Sequence, residues 1–151
     1  MNKNVLIIGT GTIGEPLIGL LADFKDELGI DVYFHKRTPL KDEVAKVNSL
    51  VNRGAKLVVD SEKKKVFQKL GHEPILNYSA ALNLCDIVID CTPAGNIAKE
   101  KHYLPILDKN KNKIFIAQGS EKGFGMPYAY GINDEALENN IGNFIQVVSC
   151  N

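Results

Sequence analysis

A short apolar run, Asn4-Val-Leu-Ile-Ile-Gly9, breaks into the glycine series Gly9, Gly11 and Gly14 and then into residues with helical spacing. This order, strand, glycine turn, helix, constrains the chain more than any other feature. A β-branched run with no polar alternation predicts a strand buried on both faces, which occurs in parallel sheets covered by helices. Leu17, Leu20, Leu21, Phe24 and Leu28 then recur at helical spacing, with Pro16 in the first turn, where proline is tolerated. The spacing predicts a first crossover helix ending near Gly29.

The same alternation continues to the other end. Strands are predicted at "IDVYFHK", "KLVV", "DIVID", "KIFIAQ" and "NFIQVV", with "PILN" as a short extra one. Helical spacing recurs between Thr38 and Arg53, around Glu62 to Leu70, and from about Asn96 to Leu107, with Pro105 near the end of the last. The expected fold is α/β: a Rossmann-like, doubly wound, mostly parallel sheet of six strands or slightly more, with helices on both faces. Its ligand crevice belongs beyond the carboxyl ends of the strands. All 151 residues are expected to form one domain, since a second would not fit.

Charge adds an exclusion: 18 basic residues balance 18 acidic ones, so nothing overall calls for a nucleic acid or a membrane surface. Cys85, Cys91 and Cys150 have neither disulfide nor metal-ligand spacing, which fits a reduced, cytoplasmic protein. Cys85 and Cys91 read as small buried hydrophobes, and His72 and His102 as surface residues. No apolar stretch approaches the roughly 18 residues of a membrane span.

Glycines 9, 11 and 14 form G-x-G-x-x-G, a weak signal alone that gains weight from following a strand and opening a helix. Gly9 permits the tight turn, Gly11 lets the backbone approach a pyrophosphate, and Gly14 lets helix and strand pack closely. The helix N-terminus then offers its free N–H groups to phosphate. A purely structural turn is the alternative. Glu15 brings a negative charge to the same place. Where an NAD site has an acid at the end of the second strand, this chain has His35, Lys36 and Arg37, while Asp31 lies at that strand's opposite end. Lys36 and Arg37 would suit a 2′-phosphate and favour NADP over NAD; a solvated basic loop is the alternative. Thr92 and Pro93, after "DIVID", and the "QGSEK" segment with Gly119, after "KIFIA", should also face the crevice, unless they are ordinary turns. Cys150, past the last strand, should reach the same edge, although a lone cysteine there is more often incidental.

Taken in order, "GTGTIG", Lys36-Arg-Thr-Pro39, "DIVIDCTPAG", "QGSEK" and the closing "VVSCN" resemble the archaeal-type glyceraldehyde-3-phosphate dehydrogenases, with the motifs of that family's first half. The resemblance implies that Cys150 is the nucleophile, that Ser149 and Asn151 line the substrate site, that Thr12 and Ile13 contact the cofactor's phosphates, and that Ser120 lies near the nicotinamide. It implies an oxidoreductase acting on glyceraldehyde 3-phosphate and inorganic phosphate with NADP or NAD, tetrameric at full length, with the catalytic domain beyond this chain. Ile8, Glu15, Pro16 and Ser120 depart from the family's usual residues. Two other readings remain open: a stand-alone nucleotide-binding module, and the cofactor domain of a semialdehyde or acyl-phosphate reductase.

Overall fold

The computed structural model describes residues 1–118, 122–139 and 142–148. Its strands are β1 (Lys3–Ile8), β2 (Ile30–His35), β3 (Lys56–Val59), β4 (Leu76–Asn77), β5 (Ile87–Asp90), β6 (Ile114–Gln118), β7 (Met126–Tyr128) and β8 (Phe144–Val147). They form one sheet in the order β4-β3-β2-β1-β5-β6-β8-β7, and every adjacent pair is parallel. The chain winds outward from β1 to β4, then returns to the other side of β1 with β5. That reversal opens the crevice of a doubly wound fold between the carboxyl ends of β1 and β5.

Strand side chains alternate between the two faces, and each face has its own core. Val5, Ile7, Val32, Phe34, Leu57 and Val59 pack on one side with Ile18, Val47 and Leu50 from the helices. Leu6, Ile8, Tyr33, Val58, Val88 and Phe115 pack on the other with Leu82, Tyr103 and Phe124. Burial on both faces is why these strands read as unbroken apolar runs.

The first crossover departs from the predicted continuous helix. α1 (Gly14–Asp23) stops at Phe24, and α2 (Lys25–Leu28) is one further turn closed by Gly29 at φ +62°. Its buried stripe is Gly14, Ile18, Gly19 and Ala22, flanked by Leu17 and Leu21, while Leu20, Phe24 and Leu28 are exposed. Small residues face inward because the packing is close: a Cβ on Gly14 would come 2.0 Å from the carbonyl oxygen of Gly9.

A 3-10 turn (Lys41–Glu43) leads into α3 (Val44–Asn52), and another (Ser61–Lys63) into α4 (Lys64–Lys69). α5 (Tyr78–Leu84) is a helix that sequence spacing did not reveal, capped by Asn77 Oδ1, which accepts from the Ala80 N–H at 2.9 Å. The 96–107 helix exists as α6 (Gly95–Ala98), a π-helical turn (Lys99–Tyr103) and α7 (Leu104–Leu107). Pro105 has no N–H to return to the preceding turn, which favours such a widening. His72 is buried beside Phe67, correcting its expected surface placement, and His102 is exposed.

Candidate functional site

The sheet ladder carries three strand ends to one edge. The N–H of Gly9 donates to the His35 carbonyl (3.3 Å), Lys36 N–H to the Val58 carbonyl (3.0 Å), and Cys91 N–H to the Ile8 carbonyl (2.9 Å). Gly9, Lys36 and Cys91 are thereby the first residues past β1, β2 and β5 at the mouth of the crevice. β8 runs parallel to them, so its carboxyl end reaches the same edge. Gly119, Ser120, Ser149, Cys150 and Asn151, expected from the sequence to belong to the site, lie outside the described residues.

The glycine positions fit a phosphate-binding loop. Gly9 adopts φ +96°, which side chains rarely adopt, and its hydrogen faces Thr92, whose Cγ2 would lie 3.2 Å from an added Cβ. Gly14 is filled in by the loop itself. Gly11 differs: nothing lies within 4 Å of where its Cβ would be, so bare backbone faces open space. Thr12 and Ile13 beside it are exposed, and α1 starts at Gly14. In its first turn the Glu15 N–H donates to the Gly11 carbonyl (3.0 Å), the Leu17 N–H donates to the Ile13 carbonyl (3.3 Å) and Pro16 has no N–H, so a phosphate would draw on the loop backbone before α1. An uncovered stretch of glycine backbone at the switch point is the feature that lets a pyrophosphate approach closely.

Lys36 and Arg37 occupy different surroundings. Arg37 is exposed, and its carbonyl accepts from Lys63 Nζ at 2.9 Å. Lys36 is buried, only 4 % exposed, with its ammonium paired to Glu43 and 3.5 Å from Thr10 Oγ1 in the glycine loop. Lys36 thus stands at the loop with a carboxylate already on its ammonium, and its burial sets it apart from a solvated basic loop. Glu15, the unusual acid of the loop, lies 3.3 Å from Lys46 of α3. His35, next to Lys36, lies with Nε2 3.0 Å from Asp60, and burial pushes its pKa down against the pull of that carboxylate.

Thr92 and Pro93 are held by a residue not singled out in the sequence. Asp90 ends β5 at 1 % exposure, and its Oδ1 accepts from the Thr92 N–H (2.8 Å) and hydroxyl (2.7 Å). Its Oδ2 accepts from the Tyr103 hydroxyl at 2.6 Å. Three hydrogen bonds offset the cost of a buried carboxylate. Tyr103 comes from the π-helical turn and stacks on Phe115, so the irregular helix serves to reach Asp90. The only sequence signal was an acid closing an otherwise apolar strand. Cys91, between Asp90 and Thr92, is pushed up to about 12 by burial and then by Asp90, so its thiol stays protonated and unreactive.

Among the described residues no group of His, Cys, Asp and Glu could hold a metal ion, and no helix is long and apolar enough to cross a membrane.

Comparison with known proteins agrees with the motifs. The chain is 31% identical over 151 residues to the glyceraldehyde-3-phosphate dehydrogenase of Methanothermus fervidus, covering 99% of this chain and 42% of that protein. It is 31% identical over 147 residues to the enzyme of the same name from Pyrobaculum islandicum, covering 96% and 40%. Among solved structures, an imine reductase from Pseudomonas sp. aligns with TM-score 0.45 at 18% identity, over 78% of this chain and 32% of that one. Shikimate dehydrogenase of Mycobacterium tuberculosis aligns with TM-score 0.45 at 14% identity, over 78% and 37%. No protein-family model matches the chain. By sequence along its length the chain, a doubly wound parallel sheet carrying a glycine loop, is similar to the archaeal glyceraldehyde-3-phosphate dehydrogenases, and it spans about two fifths of their length.

Proposed function

We propose that this chain is the nicotinamide-dinucleotide-binding part of a phosphorylating glyceraldehyde-3-phosphate dehydrogenase, with NADP bound in preference to NAD. The observation that carries the reading is the open backbone face of Gly11, set between a packed Gly9–Gly14 pair at the switch point of the sheet. The loop backbone at Thr12 and Ile13, before α1, would hold the pyrophosphate, and Thr92 and Pro93, fixed by Asp90, would border the ribose and nicotinamide with Gly119 and Ser120. Lys36 and Arg37 would face the 2′-position.

In this reading the Cys150 thiolate attacks the aldehyde carbon of glyceraldehyde 3-phosphate, between Ser149 and Asn151, and forms the C–S bond of a thiohemiacetal. A nicotinamide held at this site would supply the two-electron acceptor: the thiohemiacetal carbon would lose a hydride to it and its hydroxyl a proton to a base, leaving a thioester. Inorganic phosphate displaces the thiolate and gives the acyl phosphate. The whole enzyme is proposed to be a homotetramer, and this chain alone to bind nucleotide without turnover.

Titrating NADP and NAD into the chain by calorimetry tests the reading. Saturable binding of both, with NADP tighter, is expected. Equal or reversed affinities would remove the role given to Lys36 and Arg37, and no binding of either would remove the site.

A further inference from the structure

Four charged side chains from separate elements form one ion-pair cluster whose two lysines reach Thr10 of the glycine loop. Lys36 follows β2, Glu43 ends the 3-10 turn before α3, Lys46 stands in the first turn of α3, and Glu15 stands in the first turn of α1. Glu43 is the centre of the group and uses both carboxylate oxygens. Oε2 takes the ammonium of Lys36, and Oε1 takes that of Lys46 at 2.8 Å. Lys46 also lies 3.3 Å from Glu15 and 3.4 Å from the Thr10 carbonyl oxygen. Two ammonium groups and two carboxylates sum to zero charge at the mouth of the loop.

A 2′-phosphate and a 2′-hydroxyl would meet this group differently. The phosphate is an acceptor with close to two negative charges. It can use Lys36 or Lys46 only by drawing them away from Glu43, whose own charge then stays within a few ångströms of it. The hydroxyl is a donor, and a carboxylate accepts from it without giving up either lysine. Glu43 therefore opposes the phosphate and tolerates the hydroxyl. Lys46, which strand-end reasoning does not find because it lies on a helix, is a second cation on the same carboxylate.

We propose that Glu43 is a specificity-determining residue of the dinucleotide site: by occupying Lys36 and Lys46 together it limits the affinity for the 2′-phosphate and keeps NADP and NAD within reach of the same pocket. The proposal rests on the reading of the glycine loop as a dinucleotide site. It makes the NADP preference a balance, given by Lys36, Lys46 and Arg37 and held down by Glu43.

The test is calorimetric titration of NADP and NAD into the unaltered chain and into Glu43→Gln, which keeps the shape and a neutral acceptor but removes the charge. Glu43→Gln is expected to bind NADP about tenfold more tightly, with NAD changed by less than about threefold. In the double variant Glu43→Gln with Lys46→Gln most of that gain should vanish. Equal changes for the two nucleotides, or no change for NADP while the unaltered chain binds it, overturns the proposal and leaves the site intact. Failure of the unaltered chain to bind either nucleotide overturns the site reading, and the proposal with it. Should Glu43→Gln not fold, Lys46→Gln alone decides: a larger loss for NADP than for NAD supports the proposal, and equal losses overturn it.

Discussion

Gly11 and Gly14 share a motif but answer to different demands, and alanine at each should separate stability from binding. At Gly14 an added methyl would sit 2.0 Å from the Gly9 carbonyl oxygen, 2.8 Å from its carbon and 3.4 Å from Cys91 Cβ. Backbone on the other side cannot rotate away, so the loop or α1 must move. Overpacking of this kind costs about 3 kcal/mol. For a domain of this size that is a fall in Tm of roughly 6–12 °C. At Gly11 the methyl meets nothing within 4 Å, and the residue does not use the left-handed region. Gly11→Ala should then leave stability unchanged or raise it by up to about 1 kcal/mol through the unfolded chain. Yet it places a methyl where the pyrophosphate must approach, so nucleotide binding should fall at least tenfold. Thermal melts followed by circular dichroism, with calorimetric titration of NADP, read both effects. Equal destabilisation by the two variants, or undiminished binding by Gly11→Ala, would refute the separation.

Tyr103→Phe removes one of three hydrogen bonds to a buried carboxylate and should cost about 1.5–3 kcal/mol in urea unfolding. An effect near zero would show that Asp90 is served by water or by the Thr92 bonds alone. The pH dependence of stability has a defined sign. Burial holds the His35 and His72 rings below their ordinary 6.5, so the unfolded chain takes protons first. Their contribution is complete above about pH 6.5 and is lost as pH falls through the lower folded values. Hydrogen bonds from Lys36 and Lys46 hold Glu43 below its ordinary 4.5, and one from Lys56 holds Asp31 below 3.8, so their contribution follows at lower pH. The urea midpoint should be flat near neutrality and decline in these two stages; a rise on mild acidification would contradict the burial of the histidines.

Much of this fold is legible because its strands are buried on both faces. Leu6 and Ile7, Val32 and Phe34, and Leu57 and Val58 are all fully or almost fully covered, so the apolar runs mark strands directly. The first helix is where apolar spacing misleads. Leu20, Phe24 and Leu28 follow the helical period as well as Leu17 and Leu21 do, but close packing on the sheet selects Gly14, Ile18 and Ala22 as the inner stripe. β7 is hidden by its brevity and by Pro127, a residue that suits only an edge strand, and β7 is at the edge.

The site divides in the same way. A glycine motif announces itself through the backbone conformations that glycine permits, and Gly9 and Gly14 are used as that reasoning expects. Lys36 lies at the predicted place, but its partner Glu43 comes from a 3-10 turn seven residues on, a pairing that tertiary packing sets. Asp90 and Tyr103 are thirteen residues apart, and their contact depends on a π-helical turn that no periodicity marks.

A nicotinamide dinucleotide is expected to bind across the carboxyl ends of β1, β2 and β5. Titrating NADPH into ¹⁵N-labelled chain and following amide shifts tests it residue by residue. Saturable shifts grouped at residues 9–14, at Lys36 and Arg37, and at Thr92 are expected. Shifts absent from the glycine loop, or gathered instead at the cavity beside β3 and β4 lined by Ser61, Lys64 and Ile75, would contradict that binding mode.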